Sequence, residues 1–297
     1  MTRFRADLIL LGCAVIWGFA FLFQKTAMEH VGPLTFVASR AALAAVVLAP
    51  LAYSELRRKG LALDRDILCH GAFCGLLFFS GAAFQQLGLT TATVTNAGFL
   101  TALYVILVPF IAWVTLGKLP ASVVWPAAAM SFAGTWLLGG GTLGHFSQGD
   151  LWIIVCAFFW AGHVVSLSRP TALARPLTLM CVQFATVFAL AATGALALET
   201  VAFAGVMAAT PQILYLGVLA GAITFTAFTY AMRATPAAEA AVIVSLETLF
   251  AAIAGYMFLN ERLGLVGWLG AALIVSAGLL VQLSPLVSRH LSQASSP

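Results

Sequence analysis

With 297 residues, 62% of them apolar and only 8% charged, the chain cannot hide its apolar surface as a water-soluble globule, where about 25% of residues carry charge. Its 14 basic residues and formal charge of +4 fall in short segments between apolar runs, so they make no basic face for nucleic acid. Cys13, Cys69, Cys74, Cys156 and Cys181 lie in or at the ends of those runs without a CxxC pair, which implies neither a disulfide framework nor a metal site.

An α-helix needs about 20 residues to cross a ~30 Å hydrocarbon layer. Runs of that length predict ten spans, at 8–26, 34–53, 67–88, 94–116, 121–140, 150–168, 177–198, 212–232, 237–259 and 264–284. They lack the alternation of barrel strands, so the expected class is an all-α integral membrane protein. The first run follows Arg3 and Arg5 but is too long for a signal peptide and has no small-residue cleavage pattern. The second opens at Pro33 and carries Arg40, the third ends at Gln85 and Gln86, and the fourth carries Asn96 and Tyr104. The fifth and tenth have small residues at packing spacing, Ala129 with Ala133 and Gly267 with Ala271, as expected of scaffold helices or a dimer face. Gly139-Gly140-Gly141 is a connection without the strand-to-helix context of a phosphate loop. Trp160 and His163 mark the sixth span, and Glu239 and Glu247 the ninth, which Thr235-Pro236 starts as N-cap and first helical residue. The last dozen residues read as a disordered tail.

The second half repeats the first at an offset of 143 residues without a gap. Asp7, Cys13 and Trp17 recur as Asp150, Cys156 and Trp160; Pro33, Leu34 and Thr35 as Pro176, Leu177 and Thr178; Leu103, Leu116 and Trp125 as Leu246, Leu259 and Trp268. This divides the chain into residues 1–143, residues 144–286 and a tail at 287–297. Five spans per half bring the second half into the bilayer from the opposite side. The halves are then two inverted five-helix repeats about an axis in the membrane plane, the architecture of secondary transporters, whose sites lie near mid-bilayer. A cytoplasmic N-terminus gathers Arg3, Arg5, Arg57, Arg58, Lys59, Arg65, Lys118, Arg169, Arg175, Arg233 and Arg289 on one side, leaving Lys25 and Arg262 outside. The positive-inside rule therefore places both termini in the cytoplasm.

Five tryptophans fall near span ends, where indoles sit at the headgroups. Trp17 and Trp160 do not; they are repeat mates near the middle of their spans, suited either to a central site or to helix packing. Glu247 lies about 11 residues from either end of its span, where a carboxylate costs roughly 3 kcal/mol. A wet cavity, a cationic ligand or a bond across a helix interface would each offset that cost. Its mate Tyr104 lies at the same depth. His163 follows Trp160 at i+3 on the same helix face and suits either a substrate carboxylate or a backbone carbonyl. Phe21 continues the Trp17 face as aromatic wall or plain packing. Asn96 and Tyr104 share a helical face, as do their mates Glu239 and Glu247, although Glu239, in a first turn, suits a structural role at the helix dipole. Gln85 and Gln86 suit an outer mouth, and Arg40 either joins them or snorkels to the interface.

The Trp17-Gly18-Phe19-Ala20-Phe21 start with Lys25, Pro33-Leu34, Arg40, and the stretch from Ser245-Leu246-Glu247-Thr248 to Leu259-Asn260-Glu261-Arg262 resemble the EamA type of the drug/metabolite transporter superfamily. The likeness covers nearly the whole chain. Gly117-Lys118 in place of a glycine-glutamate pair, Gln183 opposite Arg40, and Glu247 in place of a proline depart from the family pattern. The resemblance implies a ten-helix bacterial inner-membrane permease, not an enzyme, without a cofactor, and within the superfamily it is most similar to the YddG-type amino-acid exporters. The expected substrate-binding set is Trp17, Phe21, Gln85, Asn96, Tyr104, Trp160, His163 and Glu247. The expected partners are small-molecule substrate and lipid bilayer, with the chain a monomer or weak homodimer. The rival transport reading is efflux of lipophilic cations onto Glu247 and the aromatics. An enzyme acting on lipid head groups would need a cytoplasmic Asp/His/Arg cluster that the sequence lacks.

Overall fold

The structure, a computed structural model, describes residues 1–117, 119–138, 147–260, 262 and 264–294, with side chains as far as Leu283. Lys118, Glu261, the Gly139-Gly140-Gly141 connection and residues 295–297 lie outside the described residues, whereas the backbone of the tail expected to be disordered continues the last helix as far as Ala294. Ten helical spans follow in chain order: α1 Arg3–Ala27, α2 Pro33–Lys59, α3 Arg65–Leu89, α4 Val94–Leu116, α5 Val124–Leu138, α6 Gln148–Leu167, α7 Pro176–Leu198, α8 Thr210–Ala231, α9 Ala237–Leu259 and α10 Leu265–Leu283. Nine of these are long and apolar enough to cross a membrane, and α5 is apolar over 15 described residues.

Local chemistry sets the ends. Pro33 and Pro176 begin α2 and α7, where a missing N–H costs nothing. Ser147 and Asp150 form a capping box on α6. The repeat mates Gly117 and Asn260 end α4 and α9 in the left-handed conformation, with φ of 66° and 56°.

Exchanging each helix with its mate in the other half leaves the packing unchanged. α2 packs on α7, α4 on α9 and α5 on α10, while α1 against α8 and α9 is matched by α6 against α3 and α4. The α2–α7 pair is antiparallel, Thr35 meeting Glu199 at one end and Glu55 meeting Thr178 at the other. The halves are thus related by a two-fold across the bundle, as an inverted repeat requires. The starts of α1, α3, α7 and α9 share one face, here the terminal face. Arg3 pairs with Glu239 there, Arg175 with Asp64 at 2.7 Å, and Thr171 donates to Asp66 at 2.9 Å. The Arg175 guanidinium holds the Asp64 carboxyl below its ordinary range.

The α5–α10 contact differs in detail from the small-residue spacing. Ala129 and Ala133 are exposed, and α5 instead turns Ala127, Ser131 and Gly134 inward. A Cβ on Gly134 would lie 2.7 Å from the Gly270 carbonyl oxygen, so the backbones touch where side chains would keep them apart. In α10, Gly267 and Ala271 are buried as their spacing implies.

A matched pair of carboxylates clasps α2 to α7. Glu199 accepts from the Leu34 and Thr35 N–H groups at 2.8 and 2.9 Å, and from the Thr35 hydroxyl at 2.7 Å. Glu55 accepts from the Thr178 N–H and hydroxyl, both at 2.9 Å. Each satisfies open donors at a helix N-terminus and opposes its dipole. The threonines are repeat mates, but the carboxylates stand one residue out of register. Replacing Glu55 or Glu199 by Ala should cost about 1–3 kcal/mol of stability by stranding those donors, read as a lower unfolding midpoint in detergent. Gly12→Ala, inside α1 where a new Cβ meets nothing within 4 Å, should hold the midpoint or raise it.

Candidate functional site

Both α4 and α9 are interrupted near their middles, at the repeat-mate pairs Ala102–Leu103 and Ser245–Leu246. In each the turn tightens in the same way. The Val105 N–H reaches back to the Ala102 carbonyl at 3.0 Å and Thr248 to Ser245 at 3.1 Å. In α9 hydroxyls support the break, with Thr248 donating to the Ser245 carbonyl at 2.9 Å and Ser245 to Val242 at 2.6 Å. Tyr104 and Glu247 are therefore the first residues of two half-helices. Such breaks persist at membrane depth only where protein or a cavity covers the backbone.

A cavity of about 80 Å³ lies there. Eight repeat pairs line it: Trp17/Trp160, Ala20/His163, Phe21/Val164, Ala41/Phe184, Phe78/Gly221, Gln85/Phe228, Thr101/Val244 and Tyr104/Glu247. The cavity thus sits on the pseudo-two-fold, with matched positions and unmatched chemistry. Gln24, Arg40, Gln85 and Thr101 occupy the end far from the terminal face, while Phe184, Phe225 and Phe228 occupy the end near it. Around Phe78 the rings form one cluster, with centroids at 5.0 Å to Trp160, 5.2 Å to Phe184 and 5.0 Å to Phe225.

Gly18 explains the central crossing. A Cβ there would lie 2.7 Å from the Glu247 carbonyl oxygen, so glycine lets α1 approach the α9 break and sets Trp17 beside it. The Trp17 indole donates to the Ala220 carbonyl at 3.0 Å. Ala220 lies in a π-helical stretch of α8, Tyr215–Ile223, a widened turn often found at functional sites. Tyr215 fixes the same stretch to α1 by donating to the Ile16 carbonyl at 2.8 Å. Trp160, by contrast, has a buried indole N–H that faces the Cys156 sulfur without a partner in bonding geometry.

Of the expected site residues, the structure brings Trp17, Phe21, Gln85, Tyr104, Trp160, His163 and Glu247 to this cavity. Asn96 does not line it. The expectation followed one unbroken helix from 96 to 104, and the interruption at Ala102–Leu103 ends that common face. Glu239 is likewise outside, paired with Arg3 at the terminal face. The His163 Nε2 meets the Gln183 side-chain oxygen at 2.8 Å, which as oriented here puts the ring proton on Nε2 and leaves Nδ1 open. Tyr104 faces Glu247, yet its hydroxyl has no partner in bonding geometry. Among the described residues no cationic side chain pairs with Glu247.

Sequence reasoning passed over Gln24, Phe78 and Thr101, and it left Arg40 between mouth and interface. The lining also takes in α2, α7 and α8, beside the helices that carry the expected residues. The repeat offset already paired Gln85 with Phe228, so projecting that candidate onto its mate would have found one ring of the aromatic end.

Trp17→Phe removes the bond to α8 and should lower the unfolding midpoint, at a cost of about 1 kcal/mol. Trp160→Phe removes no bond and should cost less. Thermal unfolding of the two variants in detergent compares them, and equal losses would contradict the anchoring role of Trp17.

The EamA-like transporter family matches the chain twice, over residues 4–140 and 147–283, two stretches displaced by the same 143 residues. An uncharacterized transporter of Archaeoglobus fulgidus is 31% identical over 95% of this chain and 87% of its own length. The uncharacterized transporter YwfM of Bacillus subtilis is 26% identical over 94% of each. A solved structure described only as the crystal structure of a protein superposes with a TM-score of 0.76 over 95% of this chain and 98% of that one, at 20% identity; that likeness concerns the fold alone. The chain belongs to the EamA-like transporter family, a family of multi-pass membrane transporters rather than enzymes.

Proposed function

We propose that the protein is a bacterial inner-membrane secondary transporter that exports amino acids, aromatic ones included, in the manner of the YddG-type exporters. The observation that carries this reading is the amphipathic cavity on the pseudo-two-fold, with Glu247 unpaired among the described residues between a polar end and an aromatic end. A zwitterion leaves water only if other groups replace its hydrogen bonds, at several kcal/mol for each one missing. Gln24, Gln85, Thr101 and Tyr104 offer such groups, and Glu247 suits the ammonium. The side chain gains by leaving water for the cluster around Phe78.

At about 80 Å³ the cavity is small for a whole amino acid. An amino acid with a large side chain therefore needs the halves, residues 1–143 and 144–286, to rock apart, first on one side and then on the other. The grouping of basic residues at the terminal face supports a cytoplasmic location for both termini.

Counterflow of labelled phenylalanine in proteoliposomes tests the reading, and a rate no faster than in protein-free liposomes rejects it. Glu247→Gln should impair transport of large and small amino acids alike. Trp160→Ala should weaken transport of phenylalanine more than that of alanine. Efflux of a lipophilic cation in place of amino acids would favour the cation reading of Glu247.

A further inference from the structure

Arg40 is the cation of the central cavity. It lies seven residues into α2, about 10 Å along the helix from its start, and is 7% exposed, so it does not snorkel to the interface. Its guanidinium offers five N–H donors and does not deprotonate. The contacts it has are slight: one donor reaches the Gln24 side-chain oxygen at 3.5 Å, the guanidinium sits 5.4 Å from the Phe36 ring, and Nε has no partner. Among the described residues no carboxylate pairs with it, Glu247 included.

A buried charge in this state is costly unless a counter-charge or several hydrogen bonds meet it. The position is nevertheless held firmly. A Cβ on Gly217, in the π-helical stretch of α8, would stand 2.9 Å from the Arg40 carbonyl oxygen, so glycine brings α8 onto the backbone at Arg40. Its repeat mate Gln183 is neutral and already engaged with His163. The fixed positive charge of the cavity therefore belongs to one end of it, beside Gln24, Gln85 and Thr101.

We propose that Arg40 receives a compact oxyanion on the transported molecule, a carboxylate, through the paired N–H groups of its guanidinium. This inference rests on the transport reading above and narrows it. The substrate carries an anionic group for Arg40 and an apolar group for the ring cluster, whereas a lipophilic cation would meet a like charge.

The test uses purified full-length protein in detergent, with phenylacetate, phenylalanine, phenylalaninamide and phenethylamine as probes and the fluorescence of the cavity tryptophans as readout, alongside counterflow in proteoliposomes. Wild type should bind phenylacetate and phenylalanine in preference to phenylalaninamide and phenethylamine. Arg40→Gln should lose about tenfold or more in affinity for the two carboxylates, as expected for a lost charged hydrogen bond, while the two amine probes bind no more weakly than to wild type. Arg40→Lys, which keeps the charge without the planar fork, should fall between. Carboxylate binding by Arg40→Gln as in wild type overturns the inference. So does a wild type that ignores phenylacetate or prefers phenethylamine, a result that does not need the variant to fold. Arg40-dependent binding of phenylacetate without phenylalanine counterflow would uphold the anion site and reject amino-acid transport. Phenylalanine counterflow that Arg40→Gln leaves intact, with its preference over the amide, would do the reverse.

Discussion

Tyr104 and Glu247 each begin a half-helix inside the hydrocarbon layer, where tightened bonds such as Val105 to Ala102 and Thr248 to Ser245 carry the chain across the break and any backbone group they leave over must meet protein or a polar space. In lipid each such group costs several kcal/mol if nothing meets it. The rest of the centre follows from that requirement. The two breaks must face protein or a polar space, so α4 packs on α9, and α1 and α6 close over them from either side. Gly18 brings α1 onto the backbone at Glu247. The cavity forms where the two interrupted helices meet, because the local dipoles there are poorly met by hydrocarbon.

Duplication by inversion then decides where the polar groups stand. Each lining position in one half has a mate at the mirrored depth in the other, so a change in one half alters one end of the cavity only. Gln85 against Phe228 and Thr101 against Val244 are polar–apolar exchanges of this kind, and they give the cavity its two ends. The same logic holds at the centre, where Tyr104 and Glu247 occupy equivalent helix starts with different chemistry. The Glu247 carboxylate opposes the dipole of its own half-helix; the Tyr104 hydroxyl does so weakly. One half-helix start therefore keeps more of its positive field than the other, an asymmetry that a strictly repeated sequence would lack.

Much of this could be read from the chain because it is carried by periodic or repeated features. Ten runs of membrane length gave ten spans, and the offset of 143 residues reappears as the exchange symmetry of the packing and as the spacing of the two family matches. The placing of Trp17 and Trp160 apart from the other tryptophans rested on depth alone, and both line the cavity. What escaped depends on phase rather than on composition. The breaks at Ala102–Leu103 and Ser245–Leu246 carry no proline or glycine, so nothing local marks them, and they removed Asn96 from the face of Tyr104. Inward rotation of α5 replaced Ala129 and Ala133 with Ala127 and Ser131, a shift that no spacing rule distinguishes when small residues are this frequent. Arg40 could not be placed because a long side chain one or two turns from a helix end can point either way. Only its packing neighbours decide.

Both ends of α1 are fastened to neighbouring elements. At the terminal face Arg3 bridges Asp7 and Glu239, and Thr235 donates to Asp7 at 2.9 Å, so the start of α1 is fastened to the start of α9 by charge. At the far face Lys25 donates to the Leu89 and Ala92 carbonyls at 2.8 and 3.0 Å, binding the end of α1 to the close of α3. A cation at the C-terminus of a helix is favoured by its dipole. α1 is thus tied at both ends, and it also carries Trp17, Gly18, Phe21 and Gln24. If the halves move against one another, this helix is the one that must exchange one fastening for the other, and the groups it brings to the cavity move with it.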